Sequence, residues 1–100
     1  MTERAVTPKV SVCTPIYRDC NPFFVRSLMG LRGMDEWFSM AGIRGHNARR
    51  MITRGVLSSP ENYTHMLWVD ADMSFNPDTL ERLLAHDVDL VAATCTLRNP

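Results

Sequence analysis

A short apolar segment that stops abruptly at two carboxylates constrains this chain more than any other feature. The run Met66-Leu67-Trp68-Val69 is followed at once by Asp70-Ala71-Asp72. Such near-continuous hydrophobicity is typical of a strand that is buried on both faces, as in a parallel sheet. Ligands of open parallel sheets bind beyond the carboxyl ends of the strands. The two aspartates therefore fall where a binding site is expected.

The segments around this strand predict an alternating order of strands and helices. Asn21-Pro22 and Asn76-Pro77 mark two helix starts, because in each a capping residue precedes a proline at the first helical position. Pro15 is expected to end the first strand, since proline cannot continue a ladder. The predicted strands are Lys9–Thr14, Trp37–Ile43, His65–Val69 and Asp89–Leu97. The predicted helices are Pro22–Leu31, Asn47–Leu57 and Asn76 to about His86. The resulting order β-α-β-α-β-α-β predicts a Rossmann-like α/β fold, a parallel sheet with flanking helices.

Composition and charge exclude several classes of protein. The chain has 100 residues, 45% of them hydrophobic, and no net formal charge. That apolar fraction is too high for a disordered tail, and the neutral charge argues against a general nucleic-acid binder. No apolar run is long enough for a membrane span. The three cysteines form no CxxC pair, and no signal peptide is evident, so we expect a reduced, cytoplasmic setting.

The two aspartates suggest a metal site for a phosphate-containing ligand. Two carboxylates on a tight turn can approach one Mg²⁺ or Mn²⁺, while substrate phosphates and water complete the shell. The ion would then neutralise charge on a diphosphate leaving group. The alternative is that Asp70 and Asp72 are ordinary polar residues of a strand-to-helix loop. A second D-x-D, Asp87-Val88-Asp89, precedes a predicted strand, so it is expected at the opposite edge and is assigned no function.

Four segments in a fixed order resemble one known family. The segments are Val10-Ser11-Val12-Cys13-Thr14-Pro15-Ile16-Tyr17, Asn47-Ala48-Arg49-Arg50, the D-x-D segment Met66–Phe75, and Pro77–Leu80 followed by Leu83-Leu84 and Asp89–Ala93. They resemble, respectively, a first strand with a "TP-x-Y" nucleotide loop, an "ARN"-type helix start, an "hhhhDADM-x-F" motif, and the helix and strand that follow it. Over residues 9 to 97 the chain is similar to the N-terminal half of a GT-A glycosyltransferase, of the family-2-like type found in phage and bacterial genomes.

This resemblance implies an enzyme that uses a nucleotide-diphosphate sugar donor and transfers the sugar to an acceptor hydroxyl. Asp70 and Asp72 match the metal-binding D-x-D and would hold Mn²⁺ or Mg²⁺. The residues matching the nucleotide-binding positions are Thr14, Pro15, Tyr17, Arg18, Arg49 and Asp70. The first three would lie against the base and ribose, and the arginines would contact the nucleotide or diphosphate. Arg50 departs from the asparagine expected there and is not assigned a role.

The resemblance also implies a longer fold than this chain supplies. Residues 1–100 are expected to form a single nucleotide-sugar-binding domain that is incomplete at its C-terminus. The acceptor half would be missing, so the acceptor is unknown and no catalytic residue is assigned. A sheet cut at this point exposes an edge and an apolar face, which predicts self-association.

Other functions remain open from the residues alone. An aspartyl-nucleophile phosphohydrolase is also compatible with the segment Asp70-Ala71-Asp72-Met73-Ser74. Such enzymes usually have a lysine downstream of this motif, whereas the only lysine of this chain is Lys9. A receiver-like domain would need an acidic pair after the first strand, where this chain has Thr14-Pro15. A truncated nucleotide-binding module without activity is the remaining alternative.

Overall fold

The computed structural model of the protein describes residues 7–42 and 45–92, in which strands and helices alternate. The strands are β1 (Val10–Ile16), β2 (Glu36–Ala41) and β3 (His65–Trp68). The helices are α1 (Pro22–Gly30), α2 (Gly45–Ser58) and α3 (Thr79–Leu84). All strand pairs are parallel, which confirms the predicted α/β class with a parallel sheet and flanking helices.

The sheet has the order β2-β1-β3, with β1 in the centre. Its register places Cys13 of β1 opposite Phe38 of β2 and opposite Trp68 of β3. The chain leaves β1 through α1 to reach β2 on one side. It then passes through α2 to reach β3 on the other side, so the strand order reverses at β1.

Side chains of β1 alternate between two apolar clusters on opposite faces of the sheet, as the twofold repeat of a strand requires. The α1-side cluster joins β1 to α1 and α3 and contains Val10, Val12, Phe24, Leu28, Leu31 and Leu80. The α2-side cluster contains Cys13, Ile52 and Val56. Helices therefore cover both faces of β1, which explains why this strand is buried over nearly its whole length.

The first strand continues through Pro15, so the predicted end at Thr14 is wrong. Pro15 pairs with Met40 of β2 in the parallel register. Carbonyls of β1 alternate in direction: that of Ile16 accepts from Gly42 beside β2, and that of Cys13 accepts from Val69 beside β3. The main chain at Pro15 therefore faces β3, and it lies beyond the last β1–β3 pair, Cys13 with Trp68. No hydrogen bond between these strands is lost there, although proline has no N–H to donate.

The third strand is less buried than its sequence predicts. Within the described residues β3 pairs only with β1, and the side chain of Trp68 remains 38% exposed. An edge strand has one neighbour instead of two, which accounts for the lower burial. The predicted fourth strand is not formed at residues 89–92, where Leu90 is 91% exposed. Its remainder, residues 93–97, lies outside the described part.

Helix starts follow the sequence signals in one case and not in the other. Asn21 caps α1 as predicted, with its Oδ1 accepting from the N–H of Phe23 at 2.8 Å. The third helix begins at Thr79 instead of Pro77. The N–H of Thr79 donates to the carbonyl of Asn76, which closes a turn, and the carbonyl of Pro77 accepts from the N–H of Arg32. This tertiary hydrogen bond to the residues after α1 replaces the first predicted helical turn.

Candidate functional site

The carboxyl ends of β1 and β3 meet at the point where the strand order reverses. In open parallel sheets this is where the loops on the two sides diverge and leave a crevice. A cavity of about 630 Å³ lies here. Its lining residues are Pro15, Tyr17, Arg18, Asp19, Cys20, Asn21, Pro22, Arg49, Asp70, Ala71 and Asp72.

The two aspartates lie on a tight turn directly after β3. The N–H of Met73 donates to the carbonyl of Asp70 at 3.2 Å, which closes the turn. Along this segment the side chains alternate: Ala71 and Phe75 are partly buried against the α1-side cluster, whereas Asp70 and Asp72 are exposed. Packing of the small apolar residue between them therefore directs both carboxylates away from the core.

The loop after β1 supplies an aromatic and a cationic side chain. Tyr17 is 68% exposed, and the guanidinium of Arg18 lies 5.5 Å from the centre of its ring. This distance is typical of a cation–π contact, which fixes the two side chains relative to each other. The pair presents a flat, positively charged surface at the carboxyl end of β1.

Arg49 reaches the same cavity from the first turns of α2. Its side chain is exposed, while the next residues of this helix toward the sheet, Ile52 and Val56, are buried in the α2-side cluster. Helical spacing places Arg49 on nearly the same face of α2 as Ile52 and Val56, which lie three and seven residues further along the helix. The packing of this face on the sheet therefore also positions the arginine, at the start of the helix, beside the cavity.

Charges in the cavity are not paired with one another. Ion pairs among the described residues join Lys9 to Glu61 and Arg32 to Glu81, and neither pair involves a cavity residue. Two arginines and three aspartates line the cavity. Their charges are therefore available to a ligand that carries both phosphate and a cation.

The carboxylates of Asp70 and Asp72 fit a metal ion whose coordination is completed by the phosphates of a bound substrate. Within residues 7–42 and 45–92, no group of three or more His, Cys, Asp or Glu side chains is arranged to hold an ion. Asp70 and Asp72 alone make an incomplete shell of hard oxygen ligands. Mg²⁺ is commonly bound by one or two carboxylates together with substrate phosphates and water. The two aspartates suit that arrangement.

Thr14 is the predicted site residue that does not line the cavity. It is fully buried within β1, and its Oγ1 accepts from Nε1 of Trp37 at 3.0 Å. The strand continues to Ile16, so Thr14 belongs to the core of the sheet and not to the loop. The other predicted residues, Pro15, Tyr17, Arg18, Arg49, Asp70 and Asp72, lie together around one cavity.

Several lining residues were not singled out in the sequence. Asp19 and Cys20 belong to the loop before α1, and Asn21 and Pro22 were assigned only a helix start. The Asn-Pro signal could have found them, because a helix that starts shortly after a central strand must begin at its carboxyl end. Cys20 is half-buried and packs against the α1-side cluster.

The lysine that a phosphohydrolase would need lies elsewhere. Lys9 precedes β1 at the opposite edge of the sheet, where Nζ pairs with Glu61 and lies 5.6 Å from the ring centre of Tyr63. A nearby hydrogen bond from the Tyr63 hydroxyl to Glu36 raises the pKa of Tyr63 to about 12. This cluster ties the amino ends of the strands together and is separate from the candidate site.

No helix in the described ranges is both long and apolar enough to cross a bilayer. Comparison with known proteins adds no relative: no family model, curated protein or solved structure matches the chain.

Proposed function

We propose that this chain is the donor-binding part of a GT-A-type glycosyltransferase that uses a nucleotide-diphosphate sugar and a divalent metal ion. One observation carries the proposal. Residues of three separate sequence motifs meet at one cavity at the reversal point of the sheet: Tyr17 and Arg18 after β1, Arg49 on α2, and Asp70 with Asp72 after β3. Residues of these types suit the three parts of such a donor, namely the base, the diphosphate and its metal ion.

Each group has a chemical role in binding the donor. The guanidinium groups of Arg18 and Arg49 match phosphate oxygens in charge and can donate two hydrogen bonds each. Tyr17 offers an aromatic surface to the base. A metal ion held by Asp70 and Asp72 would supply charge neutralisation for the leaving diphosphate. Together these groups favour a ligand that is negative at its centre and aromatic at one end.

Transfer would break the bond between the sugar and the diphosphate and form a bond from the sugar to an acceptor oxygen. The acceptor hydroxyl must lose a proton in this step. No described residue is assigned as the base: Asp70 and Asp72 are assigned to the metal, and Asp19, the third aspartate at the cavity, has no assigned role. The role proposed for this chain is therefore donor binding.

Isothermal titration calorimetry with UDP and GDP, with and without Mn²⁺, tests the proposal. We expect one of the two nucleotides to bind more tightly with Mn²⁺. Asp72→Asn should weaken the Mn²⁺-dependent binding about tenfold or more, since it removes one charged ligand without changing the side-chain shape. Asp87→Asn, in the second D-x-D, is the matched control and should leave binding unchanged.

Two outcomes would contradict this proposal. Unchanged Mn²⁺ dependence in Asp72→Asn would show that the metal role is wrong. If neither UDP nor GDP binds to the folded wild-type chain, the donor-binding role is wrong. Metal-dependent hydrolysis of an aryl phosphate that is lost in Asp70→Asn would favour the phosphohydrolase alternative instead.

A further inference from the structure

Residues 71–77, which follow the first aspartate of the D-x-D turn, lie along helix α1 and the residues on either side of it. Three hydrogen bonds join the two segments. The N–H of Asn21 donates to the carbonyl of Ala71 at 3.1 Å, and the N–H of Arg32 donates to the carbonyl of Pro77 at 3.0 Å. Between them, the N–H of Phe75 donates to Oγ of Ser27 at 3.1 Å. The segment is thus held at its beginning, middle and end.

Apolar contacts support the same alignment. The ring of Phe75 packs edge-on against that of Phe24 in α1, with ring centres 6.3 Å apart. Ala71 contacts the same α1-side cluster. Because Asp70 and Asp72 flank Ala71, the positions of their carboxylates depend on how firmly the segment is held against α1.

Only one of the three hydrogen bonds depends on a side chain. The other two join main-chain groups, which any non-proline residue can supply. Serine in a helix commonly bonds the carbonyl of a residue one turn earlier, as Ser58 of α2 does with Arg54 at 2.7 Å. Ser27 instead accepts from a residue 48 positions further along the chain. Its hydroxyl is therefore the sequence-specific element of this contact.

We propose that Ser27 is a positioning residue for the D-x-D turn, acting through the N–H of Phe75 on the placement of Asp70 and Asp72. The inference rests on the proposed function, because it gives this turn the task of holding a metal and diphosphate. Without the hydroxyl, the partly buried N–H of Phe75 has no acceptor, and residues 71–77 keep only the hydrogen bonds at Ala71 and Pro77 together with the contact of the Phe75 ring. The carboxylates then sample more positions, which weakens a ligand shell that needs both of them.

Three variants test this role. Ser27→Ala removes the acceptor, Ser27→Thr retains a hydroxyl, and Ser59→Ala is the matched control. Ser59 also accepts a main-chain N–H through its side chain, from Glu61 at 3.2 Å, but lies after α2, away from the cavity. Each variant is measured by amide hydrogen exchange, by calorimetry with UDP and with GDP in the presence and absence of Mn²⁺, and by urea unfolding.

We expect Ser27→Ala to speed exchange at the amide of Phe75 while the amides of β1 stay protected. Mn²⁺-dependent affinity for the nucleotide that the wild type binds, UDP or GDP, should fall about two- to tenfold, the factor that corresponds to one hydrogen bond. Binding measured without Mn²⁺ should not change. Ser27→Thr should restore both the slow exchange and the affinity, and Ser59→Ala should alter exchange only at Glu61.

The outcomes separate this inference from the proposed function. A wild-type chain that shows no Mn²⁺-dependent nucleotide binding overturns the proposed function, and the positioning role falls with it. A wild-type chain that binds, together with Ser27→Ala of equal affinity, overturns the positioning role alone. A loss of affinity in Ser27→Ala that Ser27→Thr does not restore, or that Ser59→Ala reproduces, overturns it too.

Discussion

Replacing Thr14 by valine separates a structural role of this residue from a ligand-binding one. Valine has nearly the shape of threonine, so the change removes the hydroxyl without opening a cavity. It removes Oγ1 of Thr14, the acceptor that lies 3.0 Å from Nε1 of Trp37. Thr14 is 0% exposed, so the indole N–H loses its partner in the core. An unsatisfied buried donor costs about 1–3 kcal/mol. Trp37 is only half-buried, so we expect about 1–2 kcal/mol, or a drop in Tm of about 5–10 °C for a domain of this size.

The assay is thermal and urea unfolding of Thr14→Val, Trp37→Phe and the double variant. Removing both partners abolishes the penalty of the orphaned indole N–H, so the two single effects should not add, with a coupling free energy of about 1 kcal/mol. The Mn²⁺-dependent affinity of the folded Thr14→Val variant for UDP or GDP, whichever the wild type binds, should equal that of the wild type. Additive effects of the two changes would contradict the hydrogen bond. A loss of nucleotide affinity at unchanged stability would return Thr14 to the binding site.

Three further predictions concern packing and ionisation. Leu80→Ala should cost about 2–5 kcal/mol in urea unfolding, because Leu80 is 2% exposed and joins α3 to the α1-side cluster; a cost near zero would contradict that packing. Tyr63→Phe should remove a phenol that titrates near pH 12 in ultraviolet difference spectra, since the hydrogen bond to Glu36 raises the pKa of Tyr63 from 10.0 to about 12. Because this folded-state pKa is raised, the stability that the phenol contributes is complete below about pH 10 and is lost as the pH rises through 12. The difference in unfolding free energy between wild type and Tyr63→Phe should therefore shrink between these pH values. Burial also raises the pKa of the Cys13 thiol, so iodoacetamide at neutral pH should modify Cys20 well before Cys13 in peptide mass maps; equal rates would contradict the buried position of Cys13.

Sequence patterns predicted the elements whose signals are local. The cap and proline at Asn21-Pro22 act within one helical turn, and α1 begins at Pro22. The apolar run before Asp70 predicted a strand, and β3 ends two residues before that aspartate. The D-x-D at a strand end also predicted two carboxylates on one turn, and Asp70 and Asp72 lie on such a turn, where both are exposed.

Patterns failed where a partner distant in sequence decides the outcome. Proline at position 15 predicts a strand end, but the length of β3 determines whether the N–H that Pro15 lacks is needed in the sheet. The same Asn-Pro signal at Asn76-Pro77 did not begin a helix, because Arg32 binds the carbonyl of Pro77. The pattern at Thr14-Pro15 predicts a binding loop, but Thr14 lies inside the central strand, and its hydroxyl accepts from Trp37, which no local pattern places beside it. The metal role came from the D-x-D at a strand end together with a family resemblance, the nucleotide role from the resemblance, and both stay predictions.

The two halves of the candidate site are attached to opposite faces of the sheet. Arg49 belongs to α2, which packs through Ile52 and Val56, whereas the turn at Asp70 and Asp72 is anchored to the α1-side cluster. A ligand that contacts both would bridge two layers that the sheet separates. Bound ligand would then act as a cross-link between these layers and make them unfold as one cooperative unit, so its stabilising effect would reach amides on both faces.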